Sequence, residues 1–159
     1  DEIVYIYNYF GMKLSNFLEQ GITGSLWITH LIVFEKLNAD LKEQTDMTYV
    51  EALILAGLHF ESVESAGPSM LARTLQLPRA RISQILSRLE AQGYLRRKIR
   101  HRDSRSFSLI LEEKGRRKAL KIISVIHKFE MYMEKHLSKE ATANLPKWLK
   151  IMRLSLKKA

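Results

Sequence analysis

The sequence contains no cysteine, only 7 glycines and 3 prolines, and no long uninterrupted apolar stretch in its 159 residues. Without cysteine, disulfides, thiolate metal sites and thiol-based redox sensing are excluded, and a reducing cytoplasm is the expected location. The scarcity of glycine and proline favours long helices. The most apolar window, Ile22–Phe34, is interrupted by polar side chains. It falls short of the roughly 18 apolar residues of a membrane span, so no membrane partner is expected.

Acidic residues are scarce in one segment. Residues 73–121 contain 15 Lys and Arg but 4 Asp and Glu, a net charge of +11. Residues 1–72 carry a net charge of −7 and residues 122–159 a net charge of +5, which together give the chain its +9. A positive face this concentrated favours a polyanionic partner, and nucleic acid comes before an acidic membrane surface.

The residues before the basic segment show spacing patterns that are typical of helices. Apolar residues within Asp1–Gln20 recur at helical spacing, although Ile3–Phe10 could also form a strand, and Gly21 to Gly24 is expected to break the helical pattern. Thr48 and Glu51 have the spacing of a capping box, and Gly67 followed by Pro68 is typical of a helix start. Helices are predicted over Leu26 to about Glu43, Tyr49 to about Phe60, and Ser69–Leu75.

Within the basic segment, Pro78–Gln92 is predicted as a helix with one apolar face, and Gly93 is predicted at its left-handed C-terminal position. The core face consists of Ile82, Ile85, Leu86 and Leu89. The opposite face is small, polar and basic: Arg79, Ala80, Arg81, Ser83, Gln84, Ser87 and Arg88. The major groove of duplex DNA admits one such helix, whose Arg, Gln and Ser side chains can bind base edges and phosphates. An ordinary amphipathic surface helix is the competing interpretation.

A hairpin follows this helix. Tyr94–Lys98 and Phe107–Leu111 are predicted strands, joined by a loop with four basic residues among its six. Such a loop cannot bury itself, and arginine can enter a narrow minor groove, where the negative potential is enhanced. Asp103 is expected to hold the loop in shape by accepting internal hydrogen bonds, although turns use Asp routinely.

The remaining pattern is helical. Gly115 is not expected to end the next helix, which should continue to about His136. Ser138 can cap a last helix, in which Pro146 should introduce a kink or mark the true start.

The motifs in the basic segment resemble those of one family. L-A at 71–72, L-P-R-A-R-I-S-Q at 77–84, R-L-E-A-Q-G-Y-L-R-R at 88–97, D-S-R at 103–105 and L-E-E-K-G at 111–115 are similar to the winged helix-turn-helix of the multiple antibiotic resistance regulator (MarR) family. The resemblance covers about Thr48–Leu120. It implies a homodimeric transcription regulator, expected here to be a repressor, that binds double-stranded DNA at a near-palindromic operator. Many members release DNA when a small, often aromatic, ligand enters a pocket between the dimer helices and the DNA-binding lobe, which implies a small-molecule effector.

The resemblance also assigns residues and domains. The recognition helix matches Pro78–Gln92, and the acidic and minor-groove positions of the wing match Asp103 and Arg105. The expected DNA-binding residues are Pro78, Arg79, Ala80, Arg81, Ser83, Gln84, Ser87 and Arg88 in the helix, and Arg100, Arg102, Asp103, Ser104 and Arg105 in the wing. The fold is expected to be mainly α with a small β-hairpin: dimerisation helices in 1–47, with an extension at 1–20, a DNA-binding lobe in 48–120, and dimerisation helices in 121–159.

The sequence departs from the family at Glu112, which stands where a threonine usually caps the next helix. It shows no paired carboxylates, phosphate loop or nucleophile elbow, so an enzyme is not expected. The five histidines are scattered, so neither a metal nor another cofactor is expected. The alternative function is a winged-helix module for protein–protein contact or antagonism that does not bind DNA. Such a module would show an apolar or acidic face, whereas Arg79, Arg81, Gln84 and Arg105 favour DNA.

Overall fold

A computed structural model of the chain describes residues 13–61, 66–100 and 103–157, with the backbone alone at residues 100 and 103–106. The predicted stripe or strand within 1–12 therefore lies outside the described residues. The described part contains seven helices and one hairpin: α1 (Leu14–Gln20), α2 (Ile22–Thr45), α3 (Tyr49–Phe60), α4 (Pro68–Leu75), α5 (Arg79–Ala91), β1 (Leu95–Arg100), β2 (Asp103–Leu111), α6 (Glu113–His136) and α7 (Lys139–Leu156).

Helix α2 begins four residues before the predicted start at Leu26, because Gly24 does not interrupt it. A Cβ atom on Gly24 would lie 2.2 Å from the carbonyl oxygen of Leu18 in α1. The glycine is therefore there to let the two helices approach, so the prediction that Gly21 to Gly24 breaks the helical pattern is wrong at Gly24. Gly21 is the N-cap of α2.

Helices α3, α4 and α5 form the helix-turn-helix. The capping box is confirmed, because the Thr48 side chain accepts from the Glu51 backbone and the Glu51 carboxylate accepts from the Thr48 backbone N–H at 2.9 Å. Gly67 is the N-cap of α4, with Pro68 in its first turn as predicted. Pro78 is itself the N-cap of α5, one residue outside the helix. The turn between α4 and α5 contains Gln76 in the left-handed region, with φ of 53°.

Gly93 ends α5 with φ of 73°, as predicted. The backbone N–H groups of Gly93 and Tyr94 donate to the carbonyl groups of Glu90 and Leu89, at 2.9 and 3.0 Å. This pair of bonds satisfies two of the last carbonyls of the helix and turns the chain directly into β1. The end of α5 therefore fixes where the hairpin starts.

Strands β1 and β2 pair in antiparallel register, with Leu95 opposite Leu111 and Ile99 opposite Phe107, and with an irregularity at the tip where Arg100 pairs with Asp103. The second strand begins four residues before its predicted start at Phe107, because pairing continues toward the tip. The loop is correspondingly shorter than predicted. Helices α3 and α5 and both strands surround a core that includes Ile54, Leu86 and Leu109.

Gly115 lies inside α6, as predicted, and its lack of a side chain is required there. A Cβ atom at Gly115 would lie 1.9 Å from the carbonyl oxygen of Tyr94. Helix α7 starts at Lys139, with the Ser138 hydroxyl accepting from the Ala141 N–H at 3.1 Å. Pro146 therefore lies within the helix and does not mark its start. None of the helices in 13–61, 66–100 and 103–157 combines the length and apolar character needed to cross a membrane.

Candidate nucleic-acid interface

The outer face of α5 is exposed along its whole length. Its inner face, through Ile82 and Leu86, is completely buried in the core, so the helix cannot rotate about its own axis. The residues predicted to bind DNA from this helix all lie on the exposed side: Pro78, Arg79, Ala80, Arg81, Ser83, Gln84, Ser87 and Arg88. One helix face therefore presents small and hydrogen-bonding side chains together, as a major-groove reader requires.

These exposed side chains are not equally free. Arg79, Arg81 and Gln84 form no hydrogen bond or ion pair with another described residue, so their donors are available to an anion or a base edge. Arg88 differs, because its Nη2 lies 2.8 Å from Oε1 of Glu51. The Glu51 side chain is only 8% exposed and also accepts from the Thr48 backbone and hydroxyl. Arg88 therefore joins α5 to α3.

The sequence did not indicate Glu51 as anything but a capping residue, and its pairing with Arg88 joins residues 37 positions apart. No local spacing rule could have identified this pair. Arg88 as a DNA contact remains a prediction, because its side chain is 55% exposed. A guanidinium with five donors can hold Glu51 and still offer donors to solvent.

The hairpin lies beside the C-terminal half of α5 and is attached to it through Arg97. The Arg97 backbone N–H donates to Glu90 Oε1 at 3.0 Å, and its Nη2 donates to the Ser87 hydroxyl at 2.9 Å. Its guanidinium also lies over the Phe107 ring, 5.1 Å from the centroid. In the sequence, Arg97 is one of the positive charges and part of the motif at 88–97, but its contact with α5 is not predicted.

On the opposite face of β1, Arg96 and Lys98 are exposed. Arg96 Nε lies 2.7 Å from Oε1 of Glu112. Glu112 is the N-cap of α6, but its side chain does not cap the helix. Most of the predicted wing residues fall outside what is described: Arg102 lies outside the described residues, as do the side chains of Arg100, Asp103, Ser104 and Arg105.

A cavity of about 480 Å³ lies behind α5, between it and helices α2 and α3. Its basic lining comes from α5, through Arg81 and Arg88, and its aromatic lining comes from Phe34 and Tyr49. Its amides are those of Gln84 in α5 and Asn38 in α2. The Phe34 and Tyr49 rings meet edge to face with centroids 5.7 Å apart. A molecule in this cavity would therefore touch Arg81, Gln84 and Arg88, which also belong to the exposed face of α5.

A second cavity of about 460 Å³ lies on the other side of Tyr49, between α2, α6 and α7. Its walls are mostly apolar, with Glu130 and Glu134 as the charged lining residues. Burial, together with the negative charge of Glu130, raises the pKa of the Tyr49 hydroxyl above its ordinary value. Tyr49 therefore stays neutral and separates a basic cavity from an acidic one.

Large apolar side chains remain exposed on the helices outside the helix-turn-helix. Trp27 in α2 is 61% exposed and Trp148 in α7 is 56% exposed. Helix α7 has no buried residue at all within its described length. Further exposed apolar residues on these helices are Leu14, Phe17, Ile22, Leu31, Ile32, Met131, Tyr132, Ile151, Leu154 and Leu156.

Among residues 13–61, 66–100 and 103–157 no group of three or more His, Asp or Glu side chains could hold a metal ion. His30 instead contacts Phe34, with ring centroids 5.7 Å apart, and His136 contacts Tyr132 at 4.2 Å.

Neither a family model nor a curated protein sequence matches this chain, but solved structures are similar to it. The transcriptional repressor CouR, bound to a 23-mer DNA duplex, has a TM-score of 0.78 at 22% identity, covering 86% of this chain and 94% of that chain. The MepR–DNA complex of S. aureus has a TM-score of 0.74 at 22% identity, covering 83% and 97%. AbsC, a MarR family transcriptional regulator from Streptomyces coelicolor, has a TM-score of 0.74 at 24% identity, covering 85% and 94%. The predicted fold, a winged helix-turn-helix flanked by further helices, is thereby confirmed.

Proposed function

We propose that this protein is a transcription regulator of the MarR type that binds double-stranded DNA in a sequence-specific manner as a homodimer. The observation that carries the proposal is the outer face of α5, on which Arg79, Arg81 and Gln84 stand exposed and without a partner among the described residues. An ordinary surface helix satisfies many of its charges with neighbouring acids. In the described part of the chain, this helix leaves its two N-terminal arginines without an acidic partner, beside a hairpin that carries Lys98 on its exposed face.

Two of the similar structures contain DNA: CouR is described as a repressor bound to a duplex, and MepR as a DNA complex. CouR and MepR share the fold of this chain, with TM-scores of 0.78 and 0.74. We extend DNA binding by proposal to the lobe of residues 48–120 of this chain. In this proposal α5 reads the major groove, and the hairpin binds the adjacent minor groove through Arg105 and its neighbours. Repression, rather than activation, is the expected outcome of occupying an operator.

The exposed apolar faces of α1, α2, α6 and α7 support the homodimer. A monomer would leave both tryptophans in water, and burying large aromatic side chains is a main driving force for association. A two-fold dimer would present two copies of α5, with half-sites about 34–36 Å apart on one face of the duplex. A near-palindromic operator follows from that symmetry.

The cavity behind α5 supports a small-molecule effector. Its volume is in the range of ligand pockets, and Phe34, Tyr49 and Val50 offer apolar contacts beside polar groups on α5. A bound molecule would compete for Arg81, Gln84 and Arg88, which the proposal also assigns to DNA. The protein acts in this proposal by binding, not by catalysis, and its place of action is the cytoplasm, where the duplex target is found.

The test is a binding titration with a random duplex pool and with duplexes enriched from it, at two salt concentrations. Each phosphate neutralised contributes a slope of about −0.9 in log K against log salt, so binding should fall steeply as salt rises. Enriched duplexes should show two related half-sites. Weak binding at both salt concentrations, with no enrichment, would refute the proposal and favour the protein–protein interaction module.

A further inference from the structure

Arg96 and Arg97 are the hairpin arginines whose side chains the structure describes, and Arg97 has more internal contacts than Arg96. Its backbone and its guanidinium both contact α5, through Glu90 and Ser87. Its Nε lies 3.4 Å from Glu90 Oε2, an ion-pair distance without hydrogen-bond geometry. The Phe107 ring covers another part of the guanidinium. The side chain is 30% exposed, against 56% for the neighbouring Arg96.

Strand geometry explains this difference. Successive side chains of a strand point to opposite faces, so Leu95 and Arg97 share one face of β1 while Arg96 and Lys98 share the other. Leu95 is 1% exposed in the core, which identifies its face as the one against the body of the protein. Arg97 therefore points toward α5, whereas Lys98 points into solvent and Arg96 pairs with Glu112.

The contact with Ser87 changes what that serine can do. A serine hydroxyl can both donate and accept, so a serine in the major groove can read either kind of base-edge group. Here the hydroxyl oxygen already accepts from the Arg97 guanidinium at 2.9 Å. The adjacent positive charge repels a second donor, and the hydroxyl proton is left to point outward. Ser87 is thereby restricted to donating.

We infer that Arg97 is a positioning residue that fixes the Ser87 hydroxyl as a donor, so that Ser87 recognises a hydrogen-bond acceptor on a base edge of the major groove. The acceptor is guanine O6 or N7, adenine N7 or thymine O4. The same contact fixes the angle between the hairpin and α5. The inference rests on the proposed function, and it adds which chemical group one side chain reads and which residue determines this.

The experiment uses the full chain and a duplex enriched from a random pool by the parent protein. Discrimination is measured as the ratio of affinities for the enriched duplex and for the random pool, and base preference is measured at every position. The variants are Ser87→Ala, Arg97→Lys and the double variant. Lysine keeps the charge of Arg97 but lacks the planar fork that reaches Glu90 and Ser87 together. Arg96→Lys is the matched control, the same substitution on the opposite face of β1.

Ser87→Ala should lower discrimination by about 5-fold or more and relax preference at one position of each half-site. Arg97→Lys should relax preference at that same position, although it does not touch the base. The double variant should lose no more discrimination than the more impaired of the two single variants, because both changes remove the same interaction. Ser87→Thr should retain the preference, since threonine keeps the hydroxyl. Arg96→Lys should leave base preference unchanged.

Three results would overturn the inference while leaving DNA binding intact. Arg97→Lys could keep the parent preference at the position that Ser87→Ala relaxes. The two effects could multiply in the double variant, which would make them independent. Ser87→Ala could weaken every duplex equally, which would place Ser87 on a phosphate. A parent protein that binds no duplex would instead overturn the proposed function, and this inference with it.

Discussion

The ion pair between Arg88 and Glu51 allows a quantitative prediction about stability. Glu51 is buried, and in Arg88→Ala its carboxylate keeps the two contacts with Thr48 but loses its cationic partner. Removing one partner of a fully buried pair costs about 3–5 kcal/mol, whereas an exposed pair contributes about 0.2–1 kcal/mol. Since Arg88 itself is half exposed, water can partly replace it. We expect Arg88→Ala to lower the free energy of unfolding by about 1–2 kcal/mol.

Urea denaturation followed by circular dichroism measures this change. Arg81→Ala is the matched control, because Arg81 lies on the same helix, is exposed and has no acidic partner among the described residues. Its effect should stay within about 0.5 kcal/mol. Combining Arg88→Ala with Glu51→Gln should give a coupling energy near 1 kcal/mol. Equal stability of Arg88→Ala and Arg81→Ala would refute the reasoning, because it would mean that the ion pair of Arg88 with Glu51 does not stabilise the protein.

Further predictions concern packing, base reading and assembly. Gly115→Ala should destabilise the protein by about 2–3 kcal/mol, since its Cβ atom would overlap the Tyr94 carbonyl. Gly57→Ala, whose Cβ atom would have nothing within 4 Å, should stabilise the protein by about 0.5–1 kcal/mol. Thermal or urea unfolding measures both changes. Gln84→Ala should cost about 1–3 kcal/mol on an enriched duplex and almost nothing on the random pool, and equal losses on both would contradict base reading. Arg105→Ala should weaken binding most on duplexes with A·T-rich flanks, as compared by titration against G·C-rich flanks. Sedimentation at micromolar concentration should give about twice the 18.5 kDa chain mass, and a clean monomer that binds DNA tightly would refute the dimer.

Local signals predicted most of the fold. The capping box at Thr48 and the left-handed glycine at position 93 are short-range features, and the structure has both where expected. The errors share a different origin. The sequence predicts an interruption at Gly24, because it does not reveal that another helix passes within contact distance of this residue. Pro146 allowed two interpretations from sequence, because whether a helix continues through a proline depends on packing on both sides.

In the candidate site, too, some features could be predicted from the sequence and others could not. Helical periodicity placed Arg79, Arg81 and Gln84 on an exposed face, and the structure places them there. Periodicity could not show that Arg88 and Arg97 are held by Glu51 and Glu90, because those partners belong to other elements. Charge counting treats every arginine alike. Only the three-dimensional arrangement separates the cations available to a ligand from those that hold the lobe together.

Helix α2 is anchored to the core near one end. Leu37, Leu41 and Thr45 are buried, and Lys118 Nζ donates to the Thr45 carbonyl at 2.9 Å. Toward Ile22 the helix is buried only at Gly24, where it meets α1. With 24 residues the helix is about 36 Å long, so a rotation of about 5° about its anchored end would displace the other end by about 3 Å. Phe34, which lines the cavity behind α5, lies between the two ends and would move by an intermediate distance.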